Sequence, residues 1–125
     1  MRLIVVDDES DMRLLFQQKF RKELRNGEAQ IYYAFDGYSA LELIETIENP
    51  ESYLILSDIN MPEMNGIELL KRIKARYPKL KVIMITAYGD EQNFLAAKQF
   101  GAEEYFTKPI EFDYLKEKLD LLGAM

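Results

Sequence analysis

Short apolar runs in this 125-residue chain end in polar groups that could share one pocket. Leu3-Ile4-Val5-Val6 runs into Asp7-Asp8-Glu9, Tyr53-Leu54-Ile55-Leu56 into Ser57-Asp58, Lys81 to Ile85 into Thr86, and Glu103 to Thr107 into Lys108-Pro109. Brought together, these ends would supply three carboxylates, a hydroxyl and an ammonium. Converging carboxylates repel, and each raises its neighbour's pKa unless a cation compensates. The chain has no His and no Cys, so an all-oxygen site selects a hard divalent ion. Two carboxylates plus a backbone carbonyl suit Mg²⁺, or Mn²⁺ in its place, with remaining ligands from water and phosphate. Such an ion beside a carboxylate, a Lys and a Thr hydroxyl meets the needs of phosphoryl transfer, where charge on three equatorial oxygens must be matched by cations and donors. A carboxylate can itself be the nucleophile, giving an aspartyl phosphate.

Acidity alone carries no such argument. With 22 acids, on the order of four adjacent acid pairs arise by chance, and the chain holds four: Asp7-Asp8, Asp8-Glu9, Asp90-Glu91 and Glu103-Glu104. Asp at a strand end is also an ordinary turn former and helix N-cap. What matters is that separate apolar runs deliver complementary groups at the same end.

The elements that must position them follow from the hydrophobic period. Ser10 to Arg25 carries Met12, Leu15, Phe16, Phe20 and Leu24 at helical spacing and closes at Asn26-Gly27. Ala29 to Ala34 reads as a second strand, then a helix from about Ser39 with Leu41, Ile44 and Ile47 stops at Asn49-Pro50. After the Tyr53 run, Ile67, Leu70 and Ile73 mark a third helix, and Glu91 to Phe100 a fourth. Phe112, Leu115, Leu119 and Leu122 mark a fifth. Five strands alternating with five helices predict right-handed crossovers and a parallel sheet covered on both faces, which is an α/β fold in one domain over residues 1–125. Ligands of such sheets bind outside the carboxyl ends of the strands, where strand order reverses.

Composition excludes other classes. A net charge of −6 argues against binding of nucleic acid or anionic membrane by this unit. The missing Cys and His remove disulfides, thiolate zinc sites, thiol catalysis and imidazole chemistry. No apolar run reaches 18 residues and no signal peptide is legible, so a cytoplasmic location is expected.

Over essentially its whole length the chain resembles the receiver domain of two-component response regulators. The resemblance is carried by Asp7-Asp8, by Asp58-Ile59-Asn60-Met61-Pro62-Glu63-Met64-Asn65-Gly66, by Thr86-Ala87 and by Lys108-Pro109. It implies a flavodoxin-like, doubly wound sheet in the order 2-1-3-4-5. It implies that Asp58 is the phosphoacceptor and that Asp8, Asp58 and the Asn60 backbone carbonyl ligate Mg²⁺, with Asp7 acting through water. Lys108 and Thr86 would each contact a phosphoryl oxygen, the Ala87 amide would complete the cradle, and Lys108-Pro109 would be a cis peptide. Tyr105 matches the family's switch aromatic, set to rotate inward as Thr86 moves and so remodel the surface of the fourth helix, fifth strand and fifth helix. Asn60 and Tyr88 stand where the family tunes hydrolysis of the acyl phosphate; the Tyr88 ring is expected to hinder attacking water. Glu9 is read as a solvated loop acid.

The implied partners are a histidine kinase or histidine phosphotransfer protein as donor and a downstream target protein, with Met12, Pro109 and Ile110 as donor contacts. The protein would be a monomer or a phosphorylation-dependent dimer, and a signalling receiver rather than an enzyme. The sequence stops at Leu122-Gly123-Ala124-Met125 without a linker, so a stand-alone regulator is expected, with a receiver excised from a longer regulator or hybrid kinase as the alternative. A Mg²⁺-dependent phosphatase with an aspartyl nucleophile is the reading from another class. It expects its nucleophile after the first strand and an acid where Asn60 stands.

Overall fold

The computed structural model describes residues 1–87 and 91–123. Five strands, β1 (Arg2–Val6), β2 (Gln30–Ala34), β3 (Leu54–Asp58), β4 (Lys81–Thr86) and β5 (Glu104–Thr107), form one sheet in the order β2-β1-β3-β4-β5. Every adjacent pair is parallel. The order reverses between β1 and β3, the place at whose carboxyl ends such sheets bind their ligands.

Alternation along the strands splits the core in two, because successive side chains point to opposite faces. On one face Ile4, Val6, Ile55, Val82 and Met84 pack with Ala40 and Ile44 of α3 (Gly37–Thr46), Leu69, Leu70 and Ile73 of α4 (Gly66–Arg76), and Ala97 of α5 (Glu91–Gln99). On the other, Leu3, Val5, Leu54, Leu56, Ile83 and Ile85 pack with Phe16 of α1 (Ser10–Lys19), with Phe20, and with Phe112, Leu115 and Leu119 of α6 (Phe112–Leu121). The fourth and fifth helices expected from the sequence are α5 and α6.

Among the described residues there are six α-helices rather than the five helices expected. The single helix read over residues 10–25 is interrupted at Phe20 (φ −105°, ψ 19°), giving α1 and a short α2 (Arg21–Arg25). The buried Phe20 ring stacks on Phe16 at 5.7 Å and meets Phe112 edge-on at 6.3 Å. Periodicity sees one apolar stripe there; the bend falls at the residue whose ring packs between Phe16 and Phe112. Helix α3 also starts two residues before Ser39, because the Asp36 carboxylate caps it by accepting the Ser39 amide at 2.7 Å. Among the described residues, no helix is long and apolar enough to cross a membrane.

Candidate functional site

Asp7 follows β1, and Asp58 is the last residue of β3, paired with Ile85 of β4. Asp7, Asp8 and Asp58 each offer a carboxylate oxygen within 4.8 Å of the others. Asp7 and Asp58 are buried and Asp8 is exposed. Glu9 is exposed and outside this cluster, as expected of a loop acid.

One cation reaches the two buried acids. Lys108 Nζ donates to Asp7 Oδ2 at 3.2 Å and stands 3.6 Å from Asp58 Oδ1. Asp7 Oδ1 in turn accepts the Glu9 amide at 2.9 Å. Both Asp7 oxygens are thus engaged within the protein. Burial, reinforced by the Asp7 charge, pushes the Asp58 carboxyl up to about 6, against the opposing pull of Lys108 and the Asn60 amide. Burial of the Lys108 ammonium favours its neutral form, but the Asp58 and Asp7 charges outweigh this and hold its pKa above the usual lysine value. A single ammonium therefore leaves the three-carboxylate cluster undercompensated, and the remaining donors are all oxygen.

Thr86 ends β4 with its hydroxyl fully buried and without a hydrogen-bond partner. A buried hydroxyl left unpaired costs free energy, and such atoms collect where a ligand completes the bonding. Its carbonyl accepts the Lys108 amide at 2.7 Å, and the Lys108-Pro109 bond is cis. Ala87 is exposed beside it. Asn60 is exposed in the loop after β3, whose Ile59 amide is tied to the Ile85 carbonyl at 3.0 Å. Tyr88 lies outside the described residues.

The remaining expected residues fall in two places. Tyr105 of β5 is half-buried and meets Phe94 of α5 edge-on at 5.2 Å, beside a cavity of about 260 Å³ lined also by Ala97 and Ala102. Met12, Pro109 and Ile110 line one groove of about 500 Å³ between α1 and the start of α6, together with Leu15 and Lys108. Gly66 is a positioning residue whose role the sequence does not disclose: a Cβ there would lie 2.3 Å from the Asp58 carbonyl oxygen. Only glycine lets α4 begin that close to the acid-bearing strand end.

Comparison with known proteins agrees with this geometry. Residues 3–120 match the family described as response regulator receiver domain. The chain is 35% identical to sporulation initiation phosphotransferase F of Bacillus subtilis, over 93% of this chain and 88% of that protein. It is 36% identical to a chemotaxis protein CheY homolog of Campylobacter jejuni, covering 99% of this chain and 94% of the relative. Among solved structures, the receiver domain of NtrX from Brucella abortus superposes with a TM-score of 0.80 at 30% identity, covering 95% of each chain. The doubly wound sheet, the strand-end acids and these matches agree that the chain belongs to the response regulator receiver domain family.

Proposed function

We propose that this chain is a phosphorylation-activated switch: it accepts a phosphoryl group on Asp58 from a phosphohistidine donor in a Mg²⁺-dependent reaction and signals to a partner rather than turning over a substrate. The observation that carries this reading is the buried Asp58 carboxylate, 3.6 Å from Lys108, at the same sheet edge as the unpartnered Thr86 hydroxyl.

The oxygen donor set fits Mg²⁺. Asp8, Asp58 and the Asn60 carbonyl would hold it, with Asp7 acting through water because Lys108 and the Glu9 amide engage its own oxygens. Bound there, the ion supplies positive charge that offsets the carboxylates and the transferring phosphoryl oxygens. An ionised Asp58 oxygen attacks phosphorus; a P–O bond forms, the P–N bond to the donor imidazole breaks, and the imidazole leaves with the electron pair and takes up a proton. With a pKa of about 6, Asp58 is mostly ionised at neutral pH. Lys108 then pairs with one phosphoryl oxygen as a compact point charge, the Thr86 hydroxyl donates to another, and the Ala87 amide completes the cradle.

The added phosphoryl brings up to about two negative charges. As Thr86 turns toward them it vacates space, Tyr105 moves in, and the α5-β5-α6 surface changes for a downstream target. Shifting such an equilibrium from 1:99 to 99:1 takes about 5.5 kcal/mol of differential stabilisation, within reach of several charge-assisted hydrogen bonds plus the ion. The donor would dock along Met12, Pro109 and Ile110. Incubation with a phosphorylated histidine kinase, beside an assay of turnover on small phosphate esters, tests the reading. Transfer of about one phosphoryl group per chain without ester turnover supports the switch; multiple turnover on esters rejects it in favour of a phosphatase.

A further inference from the structure

The bend at Phe20 has a second consequence, at the end of α1 remote from Asp58. Lys19, Arg21, Lys22 and Arg25 line an open hollow of about 900 Å³ together with Lys116 of α6. The one acid in it, Glu23, is buried and already paired with Lys116 at 2.8 Å. Lys116 is held in place there, since it also donates to the Lys19 carbonyl at 2.9 Å and lies 4.9 Å above the Phe20 ring. The other four cations are exposed, and none makes an ion pair among the described residues. A chain of net charge −6 thus carries four uncompensated positive charges in one concave place, and the rest of its surface is more acidic than the total suggests.

We infer that this hollow docks an acidic segment, rich in Asp and Glu, of a partner protein. The two guanidinium forks, Arg21 and Arg25, match carboxylates in a bidentate way, and the two lysines add point charges. No aromatic ring is exposed in the hollow to stack a base, because Phe20 is fully buried under Lys116. A long polyanion such as nucleic acid would also run off the hollow onto acidic surface and be repelled there. A short acidic segment on a folded partner touches only the basic part. Lys19 and Lys116 line the neighbouring Met12–Ile110 groove as well, so a partner lying along α1 and α6 enters the hollow directly. Charge complementarity at the hollow needs no phosphoryl chemistry and holds if Asp58 is never phosphorylated.

The test uses the unphosphorylated full chain, a fluorescein-labelled Asp/Glu-rich peptide, a Gly/Ser peptide of equal length and a short DNA duplex, read by anisotropy. At about 20 mM salt the acidic peptide should bind, weaken strongly at about 300 mM salt, and outcompete the DNA, because the patch is local and screened. The double variant Arg21→Glu, Arg25→Glu should lose at least about tenfold in affinity while keeping its circular dichroism and melting temperature. The single variant Lys22→Gln should fall between. Binding of DNA as tightly as the peptide, equal affinity in the double variant, or no peptide binding at low salt each overturns the proposal.

Discussion

The Lys108 backbone amide donates to the Thr86 carbonyl at 2.7 Å, so the ammonium and the hydroxyl of the site hang from one hydrogen bond between the ends of β4 and β5. The Thr86 hydroxyl nonetheless has no hydrogen-bond partner among the described residues, so removing it costs the fold no native hydrogen bond.

Thr86→Val keeps the shape and removes an unpaired buried hydroxyl. The variant should be as stable as the parent or up to about 1 kcal/mol more stable in urea unfolding, since no native hydrogen bond is lost. It should also lose most of the phosphorylation-induced change in Tyr105 resonances. A variant destabilised by several kcal/mol would mean that the hydroxyl is bonded in the resting protein.

The Asp58 carboxyl is raised by burial, reinforced by Asp7, to about 6, against 3.8 when free. Below about pH 4 both folded and unfolded forms are protonated and the group is neutral to stability. Between about pH 4 and 6 the unfolded chain ionises first, so stability falls as pH rises through the folded pKa. At about 1.4 kcal/mol per pH unit, reduced by solvent screening of a partly solvated carboxylate, the loss is about 1–2 kcal/mol. Asp58→Asn should therefore be more stable than the parent at pH 7 without metal, and the gain should vanish near pH 3.5. Added Mg²⁺ should narrow the gap at pH 7 by stabilising the parent.

Gly66→Ala should cost about 1–3 kcal/mol, because the new methyl meets the Asp58 carbonyl oxygen at 2.3 Å and the Ile59 Cα at 2.8 Å. Backbone at both contacts leaves no flexible side chain to yield. Since relief moves the acid itself, Mg²⁺ affinity measured by titration should fall along with the urea midpoint.

Glu103 binds Lys74 Nζ at 2.7 Å through one oxygen and accepts the Val82 amide at 2.6 Å through the other, while Lys74 also donates to the Leu80 carbonyl at 2.8 Å. Glu103→Ala leaves the Val82 amide unpaired at the start of β4 and should cost about 1–2 kcal/mol. Glu103→Gln retains an acceptor and should cost less. Denaturant unfolding of both variants checks the order.

The sheet was legible because each strand is a short apolar run that stops at a polar group; β4 spans Lys81–Thr86 as its residues suggest, and β1 gains only Arg2. The strand-end residues Asp7, Asp58, Thr86 and Lys108 were legible for the same reason, since parallel strands bring their ends to one edge. Details set by side-chain packing were not. The break at Phe20 falls where its ring packs against Phe112 on a distant helix, and the Gly66 approach to Asp58 depends on where α4 meets the sheet. The basic hollow needs Lys116 to fold onto α1 and α2, which no local spacing signals.

The most direct test of the account is to treat the protein with acetyl phosphate and Mg²⁺, measure the intact mass, and locate the acyl phosphate by borohydride reduction and peptide mapping. The account predicts a single phosphoryl group on Asp58, formed only with the divalent ion and absent in Asp58→Asn. Modification at another residue, modification that forms when Mg²⁺ has been chelated beforehand, or none at all would contradict it.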